Sequence, residues 1–438
     1  MKAAILSIGD ELTLGQCVDT NSAWLAGRLL QVGVETIEHG TVADDRAAIA
    51  RAIGDLASRA GVLLLTGGLG PTPDDLTREA LGDVVTPGEP LATDEPALRR
   101  LRRLFARRGR PMPPSNRAQA MHPSTMQLMV NPHGTAPGLS GRHGDCLIYA
   151  LPGPPSEMRP MFIRHVARVL GAAGGGVAGA GPIPTAAVHA FGLGESAAAE
   201  RLGDLVARDR VPLVATTFSE STVTARIRGG GAGRRAEAAV AKAVDLVEER
   251  WWPYCFGRNG QTLAQVVGER LQQADRTLVT AESCTGGLLG KLIVDVPGSS
   301  EYYLGGWVTY CDDLKSVCLG VPPEVLAEHG AVSQMTARRM AEGALAAAGA
   351  DYALAVTGVA GPEGGTPQTP VGRVHVGLAR KGGGPAAVRS FDFPGDRASV
   401  RDRSARSALQ ILRFSLLEIA DDVALLWEAP VRDSAAVC

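Results

Sequence analysis

A short apolar run, AAILSIGD, gives way near the start of the chain to an amphipathic stretch, NSAWLAGRLLQVG. The same alternation continues through VETIEHGTV, RAAIARAIGDLASRA and GVLLLTGG. Brief apolar runs closed by glycine turns predict strands, and stretches with apolar positions three and four apart predict helices. Strands alternating with helices of this length imply βαβ units and a parallel sheet. The rhythm runs to about Leu170 and breaks in GAAGGGVAGAGP, residues 171–182, whose glycine, alanine and proline predict a linker.

A small block follows, with apolar alternation in IPTAAVHAFG, a helix in ESAAAERLGDLVARD, a strand in STVTARIRG and a helix in RRAEAAVAKAVDLVEERW. The glycines at Gly229–Gly233 read as a tight turn, since no dinucleotide-type βα context surrounds them. From Gln261 the βα rhythm returns in TLAQVVGERLQQA, TLVTA, GGLLGKLIVDV, YYLGGWVTY, MTARRMAEGALAAAGA, DYALAVTG and GRVHVGLAR. A closing helix, ASVRDRSARSALQILRFSLLEIA, sets arginines on one side and leucine or isoleucine on the other. The expected fold class is α/β in three parts: residues 1–170, a small α+β module over 183–257 and a second α/β domain over 260–421. The tail beyond Asp421 carries no pattern.

Composition narrows the functional classes. With 45% hydrophobic residues, 21% charged residues and a net charge of -2, the chain describes a globular protein without an overall pull toward nucleic acid or membrane. Seven cysteines, odd in number and without a CxxC pair, argue against a disulfide framework or zinc knuckle. No signal-peptide pattern and no long apolar span are present, so a cytoplasmic location with reduced thiols is expected.

In TLVTAESCTGGLLG, Ser283, Cys284 and Thr285 stand at a strand-to-helix turn before Gly286 and Gly287. Free N–H groups at such a turn can hold an anion or a developing oxyanion, and open α/β sheets bind ligands there. Serine and threonine before a helix also serve simply as caps. GGWVTYCDDLKSV offers Tyr310 and Lys315, the lysine being either a candidate base or a solvated surface group. The loop in AVTGVAGPEGGTPQTPVGRV, with Thr357, Gly358, Gly361, Gly365 and Thr366, can bring backbone N–H groups to a phosphate or ribose, or act as a rigid connector.

Taken with PGSS (Pro297–Ser300) and GAVS (Gly330–Ser333), these stretches resemble in order and spacing the carboxyl-terminal domain of the CinA family, the nicotinamide mononucleotide deamidases. The resemblance implies hydrolysis of the nicotinamide carboxamide to nicotinate mononucleotide and ammonia, by a serine nucleophile and without a metal. It places the serine on Ser283, with Lys315 as base and Tyr310 orienting it, and amides near Thr285, Gly286 and Gly287 as the oxyanion hole. Where the family often reads Tyr-Ser-Asn, this chain has Tyr310-Cys311-Asp312, which leaves Tyr310 and Lys315 in place. Cys284 is the rival nucleophile, since a thiol is the stronger one near neutral pH, but no histidine is close in sequence to pair with it. Arg397 and Arg401 in GDRASVR are candidates for the substrate phosphate through forked hydrogen bonds.

At the other end, SIGDELTLGQCVDTN places Asp10 and Glu11 after the first strand, and LLLTGGLGPTPDDLT places Gly67, Gly68, Asp74 and Asp75 after another. Strand-end glycines allow close approach of phosphate, and carboxylates can hold a hard divalent cation that bridges pyrophosphate oxygens. With NRAQAMHP, NPHGTAPGL and LPGPPSEM, which adds Glu157, these stretches look like the amino-terminal CinA domain, similar to the molybdopterin-binding fold. That resemblance implies a metal-assisted ADP-ribose pyrophosphatase with Asp10, Glu11, Asp74, Asp75 and Glu157 as acidic candidates. The middle block matches the KH-like module of full-length CinA proteins, with too few basic residues beside aromatics to argue for RNA. The expected partners are small nucleotides, nicotinamide mononucleotide and ADP-ribose, with a divalent metal ion at the amino-terminal site only. A homodimer is expected, without direct nucleic-acid or membrane contact. Two rival readings are an amino-terminal domain that only binds a nucleotide or molybdopterin-like ligand, and a competence or DNA-damage factor acting through partners.

Overall fold

In a computed structural model that describes residues 1–174 and 181–429, KAAILSI forms strand β1 (Lys2–Ile8), buried from Ala3 onward. Its side chains alternate between two cores. Ala3 and Ile5 meet Leu25, Leu29, Met158 and Phe162 on one face, and Ala4, Leu6 and Ile8 meet Ile49, Ile53 and Leu81 on the other. A period of two with both faces covered is what a central strand requires. The strands β2 (Glu35–Val42) and β3 (Val62–Thr66) flank it in parallel. The short β4 (Ala92–Thr93) and β5 (Met121–His122) pair with each other, and β6 (Gln127–Met129), β7 (Gly138–His143) and β8 (Cys146–Leu151) complete a six-stranded sheet in the order β2-β1-β3-β8-β7-β6.

This corrects the expectation of a purely parallel sheet. β7 runs antiparallel to both β8 and β6. His143 pairs with Cys146 across a turn that contains Gly144 at φ 56, and so tight a hairpin leaves no chain for the crossover that parallel strands need.

The chain divides into two compact units, Met1–Pro184 with Gly229–Ala239, and Thr185–Arg228 with the residues from Val240 onward. The centre of the expected linker, residues 175–180, lies outside the described residues. In the second unit, β9 (Thr185–Phe191), β10 (Leu213–Ser219), β11 (Thr222–Arg228) and β12 (Cys255–Arg258) form an antiparallel sheet ordered β10-β11-β9-β12. The hydrophobic pattern missed β10 and β12. The first is largely exposed and the second is only four residues long.

The remaining sheet contains β13 (Leu278–Glu282), β14 (Tyr303–Val308), β15 (Tyr352–Gly358), β16 (Arg373–Arg380) and β17 (Ala387–Asp392), ordered β14-β13-β15-β16-β17. The first three are parallel, β16 runs antiparallel to β15, and β17 runs antiparallel to β16. The chain leaves β13 for β14 on one side and returns to β15 on the other, so the carboxyl end of β13 is a switch point where a ligand crevice opens.

The closing helix, Arg397–Leu416, differs from the two-sided amphipathic helix expected, since it is buried continuously from Ser407 to Phe414. A second surface covers its polar side: Gln410 Nε2 donates to Phe191 O at 3.2 Å, and Arg413 donates to Pro253 O at 2.8 Å and to Cys255 O. The segment after Asp421 is also engaged, for Arg389 Nε donates to Glu428 Oε1 at 2.6 Å and Phe393 packs edge-on against Trp427. No described helix is long and apolar enough to cross a membrane.

Candidate functional site

The turn after β13 is fixed from inside the sheet. Ser283 N donates to Val356 O at 2.9 Å, and Thr309 N donates to Glu282 O at 2.8 Å. Neither Ser283 nor Thr285 caps the next helix, Leu288–Val294, whose cap position is Gly287 at φ 88. The buried Glu282 does that work instead, its carboxylate accepting from Leu289 N at 3.0 Å and Gly290 N at 2.8 Å. A carboxylate suits the positive end of a helix, and this one frees the serine and threonine hydroxyls for other use. Gly286 N is taken by Ser283 O at 3.0 Å, which removes it from the expected oxyanion donors and leaves Thr285 N and Gly287 N.

Four separate stretches meet here. Arg401 donates twice to Thr285 O, at 2.7 and 3.2 Å. Arg397 donates to Gly361 O and to the Tyr310 hydroxyl, both at 2.9 Å. The two arginines border an open cavity of about 640 Å³ walled also by Ala360, Pro362 and Val371. Tyr310 is 57% exposed and bonded to Arg397, so the expectation that it orients Lys315 is corrected. Lys315 itself is buried rather than solvated, and its Nζ donates to Asp312 Oδ1 at 3.1 Å. Among the described residues no hydrogen bond joins Lys315 to Ser283. Gly365 and Thr366 lie in an exposed turn closed by Thr369, whereas Thr357 is buried and donates to Ala331 O at 2.6 Å, and Gly358 ends β15.

Strand register reveals a polar row that no motif announced. Glu282 lies opposite Val308 and Val356, so Ser283 follows between Thr309 and Thr357. Thr357 lies opposite His375, and His375 opposite Ser390. Cross-strand partners share a face, and all five side chains are buried. His375 Nδ1 stands 2.8 Å from Ser390 Oγ, which also accepts from Gln334 Nε2 at 3.0 Å. Burial, reinforced by the Arg373 charge, lowers the His375 ring to about 4 and keeps it neutral. Thr285 Oγ1 and Thr309 Oγ1 are buried without a protein partner, which sets them apart from the bonded Thr357. Cys284 points into the apolar core, where burial pushes its thiol up to about 12. A thiol so placed is not a nucleophile at neutral pH.

The amino-terminal site forms where β1, β3 and β8 end. Asn21 Nδ2 ties them together by donating to Gly153 O at 2.7 Å and Thr66 Oγ1 at 3.2 Å, and Asp19 accepts from Ser7 Oγ at 2.7 Å. Gly67 and Gly68, at φ 107 and 62, are required there, because a Cβ would strike Ile8 O and Thr77 Oγ1. The buried Arg78, lowered to about 10 by burial, holds the following turn by donating to Leu69 O and Gly70 O. Asp19, Asn21 and the Gly67–Gly70 turn line a cavity of about 580 Å³ whose walls also include Glu11, Asp44, Asp74, Asp75 and Glu157.

The acidic candidates divide into two kinds. Asp75 is spent on structure, accepting from Gly70 N at 2.6 Å and Thr72 N at 2.8 Å, and Glu157 accepts from Asn131 Nδ2 at 2.6 Å. Asp10 and Asp44 exchange backbone-to-carboxylate bonds at 3.0 Å. Partial burial, then repulsion from Asp10, Glu11 and Asp74, raises the Asp44 carboxyl above the usual range against the opposing bond from the Asp10 amide. Asp44, absent from the sequence-derived set, lines the cavity with Glu11 and Asp74 and is bonded to Asp10, while the carboxylates of Asp75 and Glu157 on the same cavity are engaged by neighbouring amide groups. Among the described residues no three His, Cys, Asp or Glu side chains form a ready metal cage. Hard, mutually repelling carboxylates nonetheless fit a divalent ion of the magnesium type, which is held by one or two carboxylates plus substrate phosphates rather than by a protein cage.

Family comparisons follow these two sites along the chain. Residues 4–172 match a family described as "Probable molybdopterin binding domain", residues 185–257 the damage-inducible protein CinA KH domain, and residues 260–416 the CinA C-terminal domain. A "CinA-like protein" of Geobacter metallireducens is 42% identical over 419 residues, spanning 95% of this chain and 100% of that one. This chain belongs to the CinA family. A further member, named "Putative competence-damage inducible protein", of Symbiobacterium thermophilum, is 43% identical over 432 residues, spanning 96% of this chain and all of that one. A crystal structure of the competence damage-inducible protein A of Klebsiella pneumoniae is 38% identical, covers 36% of this chain and 97% of its own, and has a TM-score of 0.35. The expected three-part α/β layout of a CinA protein is borne out.

Proposed function

We propose that the carboxyl-terminal domain of this CinA protein hydrolyses nicotinamide mononucleotide to nicotinate mononucleotide and ammonia. The observation that carries this reading is that Arg401, which holds Thr285 O of the turn bearing Ser283, shares a cavity wall with Arg397. A forked cation beside an open cavity suits a phosphate monoester, and the buried Ser283 hydroxyl, on the turn that Arg401 holds, suits the carboxamide at the other end of the same nucleotide. Ser283 Oγ attacks the carboxamide carbon, and the amides of Thr285 and Gly287 receive the oxyanion. The C–N bond then breaks, and the serine proton passes through Lys315 to the departing ammonia. Water hydrolyses the resulting ester and restores Ser283.

Support for Ser283 over Cys284 comes from the orientation of the thiol into the core and its raised pKa. The test is ammonia release from nicotinamide mononucleotide by Ser283→Ala and Cys284→Ala proteins. The first should lose at least a thousandfold in kcat and the second less than threefold; a Ser283→Ala protein with wild-type turnover would refute the assignment.

The amino-terminal cavity favours a second activity, metal-dependent hydrolysis of ADP-ribose to AMP and ribose 5-phosphate. Its strand-end glycines admit a pyrophosphate, and Asp10, Glu11, Asp44 and Asp74 would hold the divalent ion. When bound, such an ion neutralises charge on the pyrophosphate oxygens. The chain's own part is to position the phosphates against Gly67–Gly70 and keep that turn rigid through Arg78 and Asp75. AMP release that persists in chelator would refute the metal's role, and tight ADP-ribose binding without turnover would leave this domain a ligand-binding regulator. Both activities act on fragments of NAD breakdown and suit a cytoplasmic enzyme.

A further inference from the structure

Residues 96–144 contain nine arginines and no lysine, aspartate or glutamate, a net charge of +9 within a chain of net -2, so the remaining residues carry -11. The near-neutral total conceals this separation. All nine arginines are exposed, and among the described residues none forms an ion pair with a carboxylate. Five of them sit on the helix Glu95–Arg107. At the helical repeat of about 100° per residue, Arg99, Arg100, Arg102, Arg103 and Arg107 share one face, while Leu98 and Leu101 face the opposite way and are buried against Ala120. Arg108 and Arg110 extend the row beyond the helix end.

We propose that this arginine face binds single-stranded nucleic acid through its phosphate backbone. Guanidinium groups without a carboxylate partner on one helix face match a run of phosphodiesters. A lipid surface fits less well, because an interfacial helix needs a free apolar face to insert, and here Leu98 and Leu101 are already packed inward. Preference for a single strand comes from the neighbouring cavity of about 230 Å³, whose walls include Leu101, Leu104, Leu128, Val130 and Pro137. Arg100 crosses its edge to donate to Asn131 O at 2.8 Å. An apolar recess beside cationic side chains can receive an unstacked base, which a duplex keeps hidden.

The test is fluorescence anisotropy of a labelled oligothymidylate with the intact chain. If four phosphates are met, affinity should fall about 50-fold between 50 and 200 mM salt, given a slope of about 0.7 per single-strand contact. The triple variant Arg99→Gln/Arg103→Gln/Arg107→Gln should bind at least tenfold more weakly with a shallower salt slope, and the corresponding triple lysine variant should retain most of the binding. A circular dichroism melt of each variant checks that the fold persists. Absence of binding at 50 mM salt, a triple glutamine variant that binds like the wild type, tighter binding to duplex of the same sequence, or capture by phosphatidylserine vesicles instead of the oligonucleotide would each overturn the proposal.

Discussion

Lowering the pH from 7 to 5 should weaken the second unit through one residue, His375. Its ring is 6% exposed, bonded through Nδ1 to Ser390 and lowered from 6.5 to about 4 chiefly by burial, then by Arg373, with Asp392 opposing. The unfolded chain takes up a proton near 6.5 and the folded chain only near 4, so unfolding is favoured progressively as pH drops through that window. The full gap corresponds to about 3 kcal/mol, of which about 2 kcal/mol is lost between pH 7 and 5. Urea denaturation followed by tryptophan fluorescence reads this unit well, because Trp251, Trp252, Trp307 and Trp427 lie in it and only Trp24 in the other. His375→Asn keeps a hydrogen-bonding group toward Ser390 and cannot titrate, and carboxylate contributions cancel between the two proteins. The wild type should lose about 2 kcal/mol more than the variant over this interval. Equal pH slopes would show that His375 is not held neutral inside the fold, and with that the polar row beside Ser283 would lose its physical basis.

Other consequences are as specific. With its thiol near 12, Cys284 should resist iodoacetamide at pH 8 while the exposed Cys17 and Cys311 react, and ammonia release should survive; peptide mapping that finds rapid Cys284 labelling with loss of activity would contradict this. Glu282→Ala strands the buried N–H of Leu289 and the partly buried N–H of Gly290 and should cost about 2–5 kcal/mol, with a fall in Tm on the order of 10 °C by calorimetry. Glu282→Gln should cost roughly half of that, and a Glu282→Ala protein as stable as wild type would show that the carboxylate does not cap the helix. Asp44→Asn should leave the fold intact yet raise the metal concentration needed for AMP release at least tenfold, whereas Asp75→Ala should lower stability by about 1–3 kcal/mol. The reverse pattern in a metal titration would reassign the two residues.

Much of this was legible in the chain because local patterns suffice for it. β1, β3, β13 and β15 are near-continuous apolar runs, and Ser283, Arg397, Arg401, Gly67 and Gly68 stand in short motifs whose residue types announce a turn or an anion. What was missed depends on pairing between distant segments. His375 and Ser390 join Ser283 only through cross-strand register, and Asp44 joins Asp10 only because β2 lies beside β1. Tyr310 and Lys315 are five residues apart and their spacing suggests partners, yet the turn into the helix Asp312–Leu319 sends one outward to Arg397 and the other inward to Asp312. Glu282, inside the quoted motif, escaped notice because its role is set by amides that follow it on the next helix.

The most direct test of the central claim is ammonia release from nicotinamide mononucleotide by the intact protein in the presence of a strong chelator. Release at the same rate with and without chelator is the result expected of a serine amidohydrolase that uses Ser283 and Lys315 without a metal. No release from folded protein, or release that chelation abolishes, would contradict that account and shift the chemistry to the amino-terminal cavity.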